Sequence, residues 1–166
     1  MIISINNLND MRLLDLIVKS VRAEGRKIGL TSGCYDLPHK MHHFYLERCR
    51  RVLGEGGVLV VGLDSDRLVR LVKGPHRPQI HEGDRAELIN TFAATDIVFI
   101  MDSLDDFRRM ARILEPVIFR NEDIPVEEVV GKEFAQEIEV IPDVHLMSST
   151  TEIIESIRNK PATSEA

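Results

Sequence analysis

Between Gly57 and Asp64 runs Val58-Leu59-Val60-Val61-Gly62-Leu63, with no polar side chain at any position. A strand with one face in water alternates apolar and polar residues. A run of this kind therefore predicts a strand covered on both faces, as in the middle of a parallel sheet. It is far too short to cross a bilayer as a helix. A parallel neighbour requires a crossover connection, usually a helix, and the flanking sequence offers candidates. Leu8, Met11, Leu13, Leu14, Ile17, Val18 and Val21 recur at helical spacing through Glu24 and stop at Gly25. Phe44, Leu46, Cys49 and Leu53 repeat the pattern over His39 to Leu53, which ends in Gly54, Gly56 and Gly57.

The rest of the chain keeps the alternation. Lys27 to Ser32, Asp96 to Ile100, Pro116 to Arg120 and Glu137 to Ile141 are expected as short strands. Asp64-Ser65-Asp66 is expected to cap a short helix to about Leu71, and Glu82 to Ala93 to form another. Ser103-Leu104-Asp105-Asp106 reads as a capping box for a helix to Leu114. Val126 to Gln136 is expected as a helix, and Ser149-Thr150-Thr151-Glu152 caps a last one through Arg158. The expectation is a single-domain α/β fold with a Rossmann-like, doubly wound parallel sheet over residues 1–159. The polar segment 160–166 with Pro161 reads as a disordered tail.

Charge and cysteine content exclude several classes. The 166 residues hold Lys+Arg 21 against Asp+Glu 27, a formal charge of -6, which argues against a nucleic-acid or anionic-membrane surface. The 2 cysteines, Cys34 and Cys49, imply neither a disulfide framework nor a zinc site. With no secretory signal at the N-terminus, the expected location is the cytoplasm.

In open α/β sheets, ligands bind beyond the carboxyl ends of the strands. The segments to inspect are therefore Gly33 to His42, Asp64 to Arg77, Asn121 to Ile124 and Asp143 to Thr151. The first places His39 and His42 three apart where a strand turns into a helix, on one face of the first turn. Unpaired N–H groups and the dipole suit that point to a phosphate, and imidazoles add donors. By spacing alone, half of a metal site or plain helix surface fits equally well.

Neighbouring motifs narrow the choice. Gly33-Cys34-Tyr35-Asp36-Leu37-Pro38-His39-Lys40-Met41-His42 resembles the GxFDxxHxGH signature of the nucleotidyltransferase family that includes the cytidylyltransferases. The chain is similar, in order, to the adenylyltransferase domain of ADP-heptose synthases. The matching segments are Lys27 to Asp36, Gly62 to Asp66, Lys73-Gly74-Pro75-His76-Arg77-Pro78, Asp84 to Leu88, and Ser149 to Ile154. The resemblance implies metal-assisted transfer of AMP from ATP to a sugar phosphate such as heptose 1-phosphate. Mg2+ would accompany the nucleotide, with no protein side chain assigned as a metal ligand. It implies that His39, His42, Lys73 and Arg77 are the catalytic set. Ser32, Gly33, Cys34, Tyr35, Asp66, Arg85, Arg120, Asp123, Ser149 and Thr150 would join the two histidines around the nucleotide. Asp36 would join Lys73 and Arg77 around the acceptor, although by residue type Asp36 reads first as a turn residue. It also suggests a homo-oligomer, most simply a dimer.

The likeness breaks at Met41, where the family has glycine, and at Asn121-Glu122, where the heptose enzymes carry two glycines. Glycine allows close backbone approach, and a side chain obstructs it. Two alternatives therefore stand beside ATP-dependent transfer. One is a CTP-dependent cytidylyltransferase acting on glycerol phosphate or a similar alcohol phosphate. The other is a nucleotide-binding module with lost or reduced catalysis. Arg67, Arg70, Lys73, Arg77 and Arg85 concentrate positive charge beside the histidines, so a local anion pocket is expected within an acidic chain.

Overall fold

A computed structural model describes residues 1–142 and 150–159. The elements run β1 (Ile2–Ile3), α1 (Leu8–Ala23), β2 (Ile28–Gly33), α2 (Lys40–Leu53), β3 (Val58–Asp64), α3 (Asp66–Lys73), α4 (Glu82–Asn90), β4 (Ile97–Met101), α5 (Leu104–Leu114), β5 (Val117–Asn121), β6 (Glu137–Ile141) and α6 (Thr150–Arg158). The strands form one sheet in the order β1-β4-β3-β2-β5-β6, and every pairing is parallel. This is the expected doubly wound α/β fold. From β2 the chain winds outward through β3 and β4. It then crosses back to place β5 on the other side of β2. The switch point, where crossovers diverge and leave a crevice, lies between the carboxyl ends of β2 and β5.

The apolar run at β3 is central, and its side chains divide by parity. Leu59, Val61 and Leu63 pack with Leu46, Cys49 and Leu53 of α2 and Ala86 and Ile89 of α4. Val60 points the other way, into a cluster with Leu14, Val18 and Val21 of α1 and Phe107, Met110 and Leu114 of α5. Each face of the sheet thus carries its own core, which is why no position in the run tolerates a polar residue.

The caps follow the sequence. Asn7 Oδ1 accepts from the Asn9 and Asp10 amides, at 2.9 and 3.2 Å. Ser103 Oγ accepts from Asp106 N at 3.3 Å while Asp106 Oδ2 accepts from Ser103 N at 3.0 Å, the reciprocal box expected there. Ser65 caps α3, which runs on to Lys73 and stops at Gly74, where φ is 94°. The Ser149 cap and the tail from Lys160 lie outside the described residues.

One expectation is corrected, and one strand is new. Val126 to Gln136 is not a helix: it holds two short 3-10 turns, Val126–Glu128 and Lys132–Phe134. Gly131 separates them with φ 78°, and a Cβ there would stand 2.7 Å from Ala111 Cβ, so the segment is broken where it presses on α5. β1 was not anticipated; two residues are too few to carry a period, and β1 exists because it pairs with Val98 and Phe99.

Gly29 sits on β2 between α2 and β5. A Cβ added there would lie 2.6 Å from Phe119 Cε2 and 2.9 Å from Leu53 Cδ1. Gly29→Ala is expected to lower stability by about 1–3 kcal/mol through overpacking. Denaturant unfolding checks this as a lower midpoint at an unchanged slope.

Candidate active site

A cleft of about 1290 Å³ opens along the carboxyl edge of the sheet. Its floor comes from the ends of β2 (Ser32, Gly33), β3 (Asp64), β4 (Met101) and β5 (Asn121). Helices α2, α3 and α6 supply walls. Of the residues expected in the site, Ser32, Gly33, Cys34, Tyr35, Asp36, His39, His42, Lys73, Arg77 and Thr150 border this one cleft. Met41 borders it too, so the residue that departs from the family pattern stands on the cleft wall.

The two histidines cap α2 with their own side chains. His39 Nδ1 accepts from Met41 N, and His42 Nδ1 accepts from His39 N, both at 3.2 Å. A backbone N–H can only donate, so each Nδ1 is an acceptor and the ring proton sits on Nε2. The rings lie 4.1 Å apart. Burial pushes His39 down from its ordinary value, and burial followed by the neighbouring His39 pushes His42 down to about 4. Near neutral pH, the helix start thus presents two neutral Nε2–H donors held in place by backbone.

Asp36 is fully buried and acts as a clamp. Its carboxylate accepts from Arg77 Nε and from the amides of Gln79, at 2.8 Å, and Ile80, at 3.3 Å. Its carbonyl accepts from Thr150 Oγ1 at 2.9 Å. The loop after α3 and the start of α6 are therefore both fastened to the turn after β2. Its carboxylate is committed to that loop, where it positions Arg77.

Other expected residues are framework. Arg85 is fully buried: Nε donates to Ile80 O at 2.9 Å, Nη1 to Cys34 O, and Nη2 to Asp66 Oδ1 at 2.7 Å. Neither Arg85 nor Asp66 borders the cleft; together they brace the floor from beneath. Arg120 donates to Asn121 O at 2.9 Å, and neither it nor Asp123 reaches the cleft. Ser149 lies outside the described residues. Of the five cations expected to cluster, Arg67, Lys73 and Arg77 border the cleft, while Arg70 and Arg85 do not. A Cβ at Gly33 would come within 3.1 Å of the buried Tyr35 ring, so this glycine serves the turn's packing directly.

Sequence reasoning passed over Asp64. It ends β3, borders the cleft, and burial pushes its carboxyl up to about 6 against the pull of Arg85 and Lys73. Its signal was position alone, the first polar residue after an apolar strand. It also passed over Tyr45, whose hydroxyl meets Thr31 Oγ1 at 2.8 Å, and Arg48, which donates to Pro142 O at 2.5 Å. Burial, followed by the Asp64 carboxylate, raises the Cys34 thiol, which is therefore no ready nucleophile.

A doubly wound sheet with imidazole donors and cations at its switch point defines a nucleotide-handling α/β enzyme. The sequence model of the cytidylyltransferase-like family matches residues 30–161, and the chain belongs to that family and is a nucleotidyltransferase. It is 36% identical over 155 residues to a protein called bifunctional protein HldE from Geotalea uraniireducens, covering 91% of this chain and 31% of the relative. A protein of the same name from Desulfatibacillum aliphaticivorans is 36% identical over 157 residues, covering 92% and 31%. This chain thus spans about a third of the length of those relatives. A solved lipopolysaccharide core biosynthesis protein from Thermoplasma volcanium superposes with a TM-score of 0.57 at 19% identity, over 72% of this chain and 98% of that one; it shares the fold. Among the described residues, no helix is long and apolar enough to cross a membrane.

His42 titrates lower in the folded chain than in the unfolded one, so acid favours unfolding. Its contribution is fully present above the unfolded value, about 6.5. It is lost as pH falls toward the folded value of about 4. Asp64, raised in the fold, acts in the opposite sense below pH 6. The comparison that isolates His42 is wild type against His42→Gln. Thermal unfolding from pH 7 to 4 is expected to fall less steeply in the variant; parallel curves would refute the assignment.

Proposed function

We propose that the chain transfers AMP from ATP to a sugar phosphate, with heptose 1-phosphate as the leading acceptor, and releases pyrophosphate. The observation that carries this reading is the pair of Nε2–H imidazoles at the start of α2, facing one cleft with Lys73 and Arg77. Resemblance to the adenylyltransferase domain of ADP-heptose synthases supplies the choice of nucleotide and acceptor.

The chemistry asks for little beyond alignment and charge cancellation. An oxygen of the acceptor phosphate attacks the α-phosphorus of ATP, the bond to the β-phosphate oxygen breaks in line, and pyrophosphate departs with that electron pair. The acceptor is already an anion, so no strong base is required. His39 and His42 donate hydrogen bonds to the triphosphate as charge moves onto the leaving oxygens. Arg77, aimed by Asp36, and Lys73 at the end of α3 hold the acceptor phosphate. The backbone around Cys34 and Tyr35 lines the nucleotide side, with Thr150 beside it on the Asp36 carbonyl.

Mg2+ enters as part of the substrate, MgATP, and supplies charge neutralisation on the phosphates. Among the described residues, no group of three or more His, Cys, Asp or Glu side chains is placed to hold a metal ion. Mg2+ commonly keeps its waters and binds through substrate phosphates.

Met41 on the cleft wall favours a second reading, a nucleotide-binding chain with reduced turnover. A pyrophosphate-release screen of ATP and CTP against sugar and alcohol phosphates separates the readings. Release with ATP and a sugar phosphate supports the proposal. Release confined to CTP with an alcohol phosphate, or binding without release, refutes it. His42→Ala is expected to lower kcat by about ten-fold or more, and full activity in that variant would remove the phosphate role. Met41→Gly is expected to raise ATP affinity by calorimetry; unchanged or weaker binding would show that the methionine side chain folds clear of the nucleotide.

A further inference from the structure

The carboxylates bordering the cleft differ in what they touch. Asp36 is clamped to the loop after α3. Asp102 pairs with Arg67 at 3.6 Å and Asp105 with Arg108 at 3.3 Å. The side chain of Asp64 makes neither a hydrogen bond nor an ion pair among the described residues, although it is partly buried and borders the cleft. Arg85 and Lys73 lie near enough to ease its charge, but neither bonds to it. A partly buried carboxylate with no protein donor takes its hydrogen bonds from cleft water or from a bound ligand. A phosphate oxygen repels it; an O–H group suits it, because a carboxylate accepts and does not donate.

Position indicates which O–H groups. In the sheet, β3 lies on one side of β2, while β5 and β6 lie on the other. Asp64, at the end of β3, lies near Cys34 at the end of β2 and near Lys73 at the far end of α3. On the reading above, Lys73 and Arg77 face the acceptor phosphate, and the group attached to that phosphate is a polyhydroxylated ring.

We propose that Asp64 is a specificity-determining residue that accepts hydrogen bonds from ring hydroxyls of the acceptor. It thereby favours sugar phosphates over less hydroxylated phosphates. This inference rests on the sugar-phosphate reading of the site.

The test is steady-state pyrophosphate release by the intact chain, with MgATP and a series of hexose and heptose 1-phosphates and their monodeoxy analogues. Wild type is compared with Asp64→Ala and Asp64→Asn. Asp64→Ala is expected to raise KM for a hydroxylated acceptor by about ten-fold or more, with KM for ATP and the Mg2+ requirement unchanged. Asp64→Asn keeps one oxygen acceptor and is expected to lose less. Removing the contacted hydroxyl from the acceptor is expected to penalise wild type but not Asp64→Ala. A rise in KM for ATP alone would move the contact to the ribose and overturn the proposal. So would an altered Mg2+ requirement, an equal loss with every analogue, or a preference for an ammonium-bearing acceptor that Asp64→Asn abolishes. If wild type uses sugar phosphates and Asp64→Ala matches it, this inference alone fails. If wild type uses none of them, the sugar-phosphate reading fails and takes the inference with it.

Discussion

The buried carboxylate of Asp36 holds together parts of the chain that its own turn could not. It sits between Tyr35 and Leu37, both at positive φ, 46° and 51°. For L-residues that region costs about 1–2 kcal/mol each. Arg77 Nε and two loop amides converge on the carboxylate, and the Thr150 hydroxyl binds the Asp36 carbonyl. Those contacts offset both the strained backbone and the desolvation of the charge. They also explain the geometry of the cleft. The turn after β2, the loop after α3 and the start of α6 come from distant parts of the sequence, and all three meet at one residue.

The arginines divide between framework and cleft in the same way. Arg85 points inward and closes three hydrogen bonds to Ile80, Cys34 and Asp66. Its fork geometry suits that bracing role better than a lysine would. Arg77 stands one layer above, with one face on Asp36 and its side chain bordering the cleft. A positive residue in a ligand-binding segment can therefore serve the ligand from a distance, by holding the backbone that the ligand approaches.

Much of the fold was legible because its signals are local and repeated. The apolar run of β3, the helical spacing of α1 and α2, and the caps at Ser65 and Ser103 each carry their own physics. The misreadings share a cause. Helical composition over Val126 to Gln136 was overruled by Gly131, pressed against α5, and β1 depends on its pairing with β4. In the site, spacing singled out His39 and His42 and the family resemblance chose among their readings, but only the three-dimensional structure shows that they cap α2 through Nδ1. The family resemblance suggested nucleotide contacts for Arg85 and Arg120, and neither borders the cleft as Arg77 does. Asp64 was missed because a single carboxylate after a strand has no spacing to betray it.

The negative total of -6 and the binding of an anionic nucleotide are compatible for a physical reason. Several cations near the cleft are already balanced: Arg77 by Asp36, Arg85 by Asp66, Arg67 by Asp102. On the proposed reading, such a site would attract a triphosphate less by net field than by oriented donors: the two neutral imidazoles at the start of α2, and Lys73. Neutral donors fixed by backbone hydrogen bonds need no reorganisation as charge develops, and they remain available well above their depressed titration point.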